Sequence, residues 1–73
     1  MEALTDKTRQ VLKDAVEKRR KDEEFERSLG RVMRAAGLDY EAYIQLVGRV
    51  RQVSRRKRIA LEEAAIVLSN EQE

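Results

Sequence analysis

A regular apolar spacing runs along the first half of the chain. Stepping alternately by four and three residues from Leu4 to Ala36 reaches ten positions, of which seven are apolar. This spacing keeps side chains on one side of a helix without drift, and we call these positions the seam. The seam predicts one long amphipathic N-terminal helix over residues 5–36, capped by Thr5 or Asp6.

The charged stretch EKRRKDEE, residues 17–24, interrupts the seam by placing Lys18 and Asp22 on it. Two interpretations compete. The helix can continue through the octet, supported by ion pairs between residues four apart that contribute ~0.2–0.5 kcal/mol each. Alternatively, Asp22 caps a new helix after a bend. The octet contains no Gly, Pro, Asn or Ser to supply a turn, and this favours an unbroken helix.

Two shorter helices are predicted further along the chain. Apolar residues at three- and four-residue steps predict a helix over residues 39–56, which follows Gly37 and begins with Asp39 as its cap. Gly48 inside this helix is unfavourable by ~1 kcal/mol relative to Ala, which is tolerated where a neighbouring backbone packs close. A last helix is predicted over residues 60–69. The polar end of the chain, 70–73, is expected to fray.

The small size of the chain favours a partner subunit. Its 73 residues predict a single all-α domain, residues 1–73, with three to four helices, and such a domain buries only ~60% of its unfolded surface. The absence of Cys excludes stabilising disulfides. We therefore predict a helical dimer or higher homo-oligomer in which the seam packs against its symmetry mate, or else a seam that packs against the second and last helices. The predicted interface residues are Leu4, Val11, Ala15, Phe25, Leu29, Val32 and Ala36.

A basic block lies at the end of the second predicted helix. Residues 49–58 contain six basic residues and no acid, whereas the rest of the chain sums to minus four. Clusters of this kind attract phosphate backbones, and Arg adds bidentate contacts. The simpler interpretation is a solvated helix end, where basic side chains complement the helix dipole. The predicted nucleic-acid-binding residues are Arg49, Arg51, Arg55, Arg56, Lys57 and Arg58.

The stretch VMRAAGLDYEAYIQL has the spacing of a helix-turn-helix. Its chemistry departs from that motif, because Asp39 and Glu41 place two carboxylates at the start of the second helix, where they would repel phosphates. A helical corner closed by Gly37 is therefore the favoured interpretation.

Composition argues against an enzyme. The chain has no His or Cys to act as a base or nucleophile near neutral pH, and its three glycines are scattered, so no phosphate loop is expected. We predict no catalytic residues, no metal site and no cofactor. No apolar run approaches the roughly 18 residues of a membrane span, and the charged first ten residues do not form a signal peptide. We therefore expect no membrane association and a cytoplasmic location.

Two functions follow as expectations. The first is a small oligomeric, DNA-binding or more generally nucleic-acid-binding regulator that contacts phosphates through the basic block. The second is an adaptor or inhibitor of the kind encoded by phages and mobile elements, which acts by protein-protein interaction with an acidic protein partner and has no nucleic-acid role.

Overall fold

A computed structural model describes residues 5–70, and all regular structure within this range is helical. Four helices follow one another: α1 (Asp6–Glu17), α2 (Phe25–Ala35), α3 (Tyr40–Lys57) and α4 (Leu61–Asn70). The all-α prediction is confirmed. Leu4 and residues 71–73 of the predicted frayed tail lie outside the described residues, whereas Asn70 is the last residue of α4.

The long N-terminal helix is not confirmed, because the chain turns back within the charged octet. α1 ends at Glu17 and has 12 residues, and α2 begins only at Phe25. Asp22 adopts a left-handed conformation with φ 68°, which a continuous helix excludes. Asp22 therefore makes the turn and does not cap α2. The residue at the N-cap of α2 is Glu24, which makes no side-chain capping bond.

Side-chain hydrogen bonds hold this turn closed. The Glu23 carboxylate accepts hydrogen bonds from the Arg31 side chain at 2.9 and 3.3 Å and from the Arg20 backbone N–H at 3.0 Å. Arg31 also donates to the Lys18 carbonyl at 2.9 Å. These contacts satisfy backbone groups that the end of α1 would otherwise leave without partners. They replace the pairs between residues four apart that would support a continuous helix.

The seam becomes the hydrophobic core of a single chain. Val11 and Ala15 on α1 face Phe25, Leu29 and Val32 on α2, and each of the five is at most 9% exposed. The core is completed from α3 and α4 by Leu46, Val47, Val50, Val53, Ala64, Ala65 and Leu68.

The prediction that this seam forms an oligomer interface therefore needs correcting. Five of the seven predicted interface residues are buried inside the monomer, and Ala36 is partly buried against the same core. Leu4 lies outside the described residues. Because the chain folds back at Asp22, its own helices cover the seam, which was the alternative placement.

The closest helix packing follows the order α2, α1, α4 and α3. α1 packs against both α2 and α4, and α4 packs against α3, whereas α2 and α3 contact each other less. The weaker α2–α3 packing leaves a groove between these helices, described below. Within residues 5–70, no helix has the length and apolar character needed to cross a membrane.

The corner between α2 and α3 follows the predicted capping. Gly37 has φ 81°, and the Leu38 N–H donates to the Met33 carbonyl at 3.0 Å, which closes α2 with a Schellman motif. The Asp39 carboxylate accepts a hydrogen bond from the Ala42 N–H at 2.9 Å and so caps α3. This corner fixes the direction of α3 and therefore the position of the basic residues at its C-terminal end.

Candidate nucleic-acid interface

Four of the six predicted cations form an exposed group at the C-terminal end of α3. Arg55, Arg56, Lys57 and Arg58 are all exposed, and they make no ion pair with another residue in the 5–70 range. We call these four residues the basic end. Because Val50 and Val53 anchor this half of α3 in the core, the basic end sits on a fixed helix and not on a free tail.

Arg51 is separated from the basic end by an ion pair. Its Nε and Nη2 donate to the two carboxylate oxygens of Glu26 on α2, at 2.6 and 2.8 Å. The hydrogen bonds from Arg51 lower the pKa of Glu26 and correspondingly raise the pKa of Arg51. Both groups are therefore charged at neutral pH, and Glu26 neutralises one of the cations that the sequence assigned to the basic block.

Arg49 is also set apart from the basic end. It is half-buried, unlike the four residues of that group, and it already has an interaction within the protein. The six predicted residues therefore comprise four available cations, one cation paired with Glu26, and Arg49. The structure leaves the role of all six in nucleic-acid binding as a prediction.

The end of α3 is held by the backbone around Ser54. The Ile59 N–H donates to the Ser54 carbonyl at 3.1 Å, and the Ser54 hydroxyl donates to the Ile59 carbonyl at 2.5 Å. Between them, Arg58 adopts a left-handed conformation with φ 56°. This conformation is unfavourable for a residue with a Cβ and is usually occupied by Gly at helix ends. Arg58 therefore places a cation at a backbone position where Gly is more favourable.

The middle of α3 exposes a second set of polar residues. Gln45, Gly48 and Gln52 are exposed. Because each helical residue is rotated by about 100° around the axis, these three residues and Arg55 lie within an arc of about 80°. Glu41, one of the two carboxylates that made the helix-turn-helix resemblance unfavourable, is exposed on the same face, one turn before Gln45. From residue 42 to residue 58 the sequence of α3 contains no acid.

The groove between α2 and α3 was missed by the sequence analysis. It has a volume of about 860 Å³, and its lining includes Arg27 and Arg34 from α2 together with Tyr40 and Tyr43 from α3. The two tyrosine rings stack with centroids 6.0 Å apart, and Tyr40 is 75% exposed. Arg27 and Arg34 are seven residues apart and therefore lie on one face of α2. Helical periodicity applied to the charged residues would have predicted this shared face.

No family model, curated protein or solved structure matches this chain. The chemistry of the site must therefore carry the functional argument. Exposed guanidinium and ammonium groups on a fixed helix can bind phosphates or carboxylates.

Proposed function

We propose that this protein is a small, non-catalytic, cytoplasmic regulator that binds nucleic acid through the basic end of α3. The observation that carries the proposal is that Arg55, Arg56, Lys57 and Arg58 are exposed together and unpaired within the described residues. Four cations within about one helical turn concentrate positive charge that attracts a phosphate backbone.

The helix dipole alone accounts for some of this charge. Basic residues in the last turn of a helix are favourable by ~0.3–1 kcal/mol each. Stability does not account for Arg58, however, because its left-handed backbone conformation favours Gly over any residue with a side chain. The retained cation at this position supports a binding role for the basic end.

A charge-reversal experiment tests the proposal. The variant R55E/R56E/R58E should lose the binding of a DNA duplex at low salt. The matched control K7E/K13E/K21E changes the net charge by the same amount at exposed positions on α1 and in the loop after it, and should weaken binding far less. Thermal unfolding of both variants checks that each one folds. Equal loss of binding in the two folded variants would show that overall charge, and not the basic end, is responsible.

The groove between α2 and α3 favours a second candidate function. Arg27 and Arg34 beside the exposed ring of Tyr40 would suit an acidic protein segment, since Arg and Tyr are enriched at binding hot spots. In this proposal the protein is an adaptor or inhibitor of an acidic partner. Loss of partner binding in Y40A, with binding retained in R55E/R56E/R58E, would favour this function over nucleic-acid binding.

The predicted homo-oligomer loses the interface that the sequence assigned to it. Because the seam is buried in the monomer, self-association would need other apolar side chains. The largest exposed ones within residues 5–70 are Tyr40, Ile44 and Ile66. A dimer would therefore be built on one of these positions.

A further inference from the structure

Gly48 occupies a position where its own fold gives no reason for a glycine. It lies in the interior of α3, is exposed, and has a backbone conformation that any residue adopts. A Cβ built on it would meet no atom within 4 Å. Because Ala stabilises a helix interior relative to Gly, the sequence predicted a closely packed neighbour here. Within the described residues there is none.

The opposite case occurs at Arg58, the C-cap residue of α3. There the left-handed backbone favours Gly, yet the protein has Arg. At both positions α3 carries the residue that is less favourable for its stability. Residues that lower stability without a structural reason are expected where a surface has a function.

Two of the side chains beside Gly48 on α3 are amides without hydrogen-bond partners in residues 5–70. Gln45 lies three residues before it and Gln52 four residues after it, so all three share one exposed face. A shallow hollow of about 470 Å³ lies over this face, lined by Gly48, Gln52 and three arginines. The missing side chain at Gly48 lets an outside surface approach the α3 backbone between the two amides.

The basic end makes one end of this face positive and attracts an anionic occupant. A second copy with its α3 parallel to this one would bring Arg55 and Arg56 against their equivalents, and like charges repel. A second copy with its α3 antiparallel would bring Arg55 toward Glu41; it would appear as a dimer in sedimentation and would overturn the inference. A nucleic-acid backbone has the opposite charge and fits the basic end directly beyond Gln52. Among duplexes, the major groove of B-form DNA is wide enough to admit a helix, whereas that of A-form RNA is too narrow for side chains to enter.

We infer that the exposed face of α3 centred on Gly48 enters the major groove of double-stranded DNA. Gln45 and Gln52 then contact base edges, where the side-chain amide can bond adenine at two points. Arg55 and Arg56 contact the phosphates that flank the groove. This inference rests on the proposed function and adds to it the kind of nucleic acid and the way it is held.

The variant G48A tests the inference, because it separates stability from binding. Ala at this exposed helical position should raise Tm by about 4–8 °C in a domain of this size. It should also weaken the binding of a mixed-sequence DNA duplex about tenfold, the scale of one lost base contact. A variant that is more stable and yet binds less tightly cannot be explained by damage to the fold.

Two further measurements complete the test. The wild type should bind the DNA duplex more tightly than an RNA duplex of the same sequence. Selection from random duplexes should enrich a sequence motif that is lost in Q45A/Q52A and kept in Q10A, a control on α1. The inference is overturned if G48A binds DNA as tightly as the wild type, if the RNA duplex binds equally well, or if Q45A/Q52A keeps the motif.

The outcomes distinguish this inference from the proposed function. If R55E/R56E/R58E abolishes DNA binding while G48A keeps it, the basic end binds phosphates without insertion of α3. The proposed function then stands and the inference fails. If the wild type binds no duplex at low salt, both fail together, and the acidic protein partner takes their place.

Discussion

Arg51 and Glu26 form a bidentate ion pair that joins α3 to α2, with N–O distances of 2.6 and 2.8 Å. The two residues are 25 positions apart in the chain. This pair removes one cation from the basic block and leaves the basic end as a separate group. Breaking the pair should therefore change the salt dependence of binding more than the loss of one charge elsewhere does.

Replacing Glu26 with Gln should strengthen DNA binding. The substitution releases Arg51 next to the basic end, so one more cation can contact phosphate. We expect the slope of log K against log salt concentration to steepen by about 0.9, the contribution of one phosphate contact. Fluorescence anisotropy with a labelled duplex measures this slope.

The control for this experiment is E17Q, which removes the same charge from α1. It should raise affinity slightly through net charge without steepening the slope to the same extent. An equal change in E17Q and E26Q would mean that Arg51 is not released toward the DNA.

Acid should destabilise the fold through Glu23. Hydrogen bonds from Arg31 and then from the Arg20 backbone lower the pKa of Glu23 from 4.5 to about 2. Because the folded-state pKa is the lower one, the stabilisation is complete above pH about 4.5 and is lost as the pH falls toward about 2. Thermal unfolding across this range should show Tm falling with pH, and E23Q should have a lower Tm near neutral pH and a weaker pH dependence. If E23Q loses Tm with acid as steeply as the wild type, other carboxylates are responsible.

Ser28 is expected to stabilise the contact between α1 and α2. Its buried hydroxyl donates to the Ala15 carbonyl at 2.7 Å, and this carbonyl is among the last of α1, which lack helical partners. S28A should lower the free energy of unfolding by about 1–3 kcal/mol, because it leaves a buried carbonyl without a donor. Urea unfolding measures the change. S69A is the control, since among the described residues the buried Ser69 hydroxyl donates to Ile66 in its own helix, and it should have a smaller effect.

The buried seam has a consequence for the oligomeric state. Since Val11, Phe25 and Leu29 are covered by the chain's own helices, a second copy is not needed to bury them. Sedimentation equilibrium at about 10 µM should therefore give the monomer mass. A dimer that I44D dissociates would instead restore the predicted homo-oligomer with its interface on the exposed face of α3.

The sequence predicted the helical class and which residues of α1 and α2 form an apolar face, because local spacing determines both; it assigned that face to an oligomer interface, whereas the monomer buries it. Val11, Ala15, Leu29 and Val32 follow the period of a helix and are buried. Gly37 and Asp39 also acted as predicted, since capping depends on residues that are close in sequence.

The turn at residues 18–24 could not be predicted in the same way. Its octet has no turn-forming Gly or Pro, and some of the contacts that close it, such as Ser28 with Ala15 and Arg31 with Lys18, connect residues 13 positions apart. The separation of Arg51 from the rest of the basic block could not be predicted either, because its partner, Glu26, lies on another helix. Local periodicity contains no information about either contact.

The salt dependence of DNA binding tests the central claim most directly. If the four residues of the basic end each contact a phosphate, log K should fall with log salt concentration at a slope of about −3.6, which is an affinity loss of about 150-fold between 50 and 200 mM salt. In R55E/R56E/R58E the magnitude of the slope should fall below about 1, or binding should disappear. A wild-type slope near zero, or an unchanged slope in the folded variant, would contradict the account.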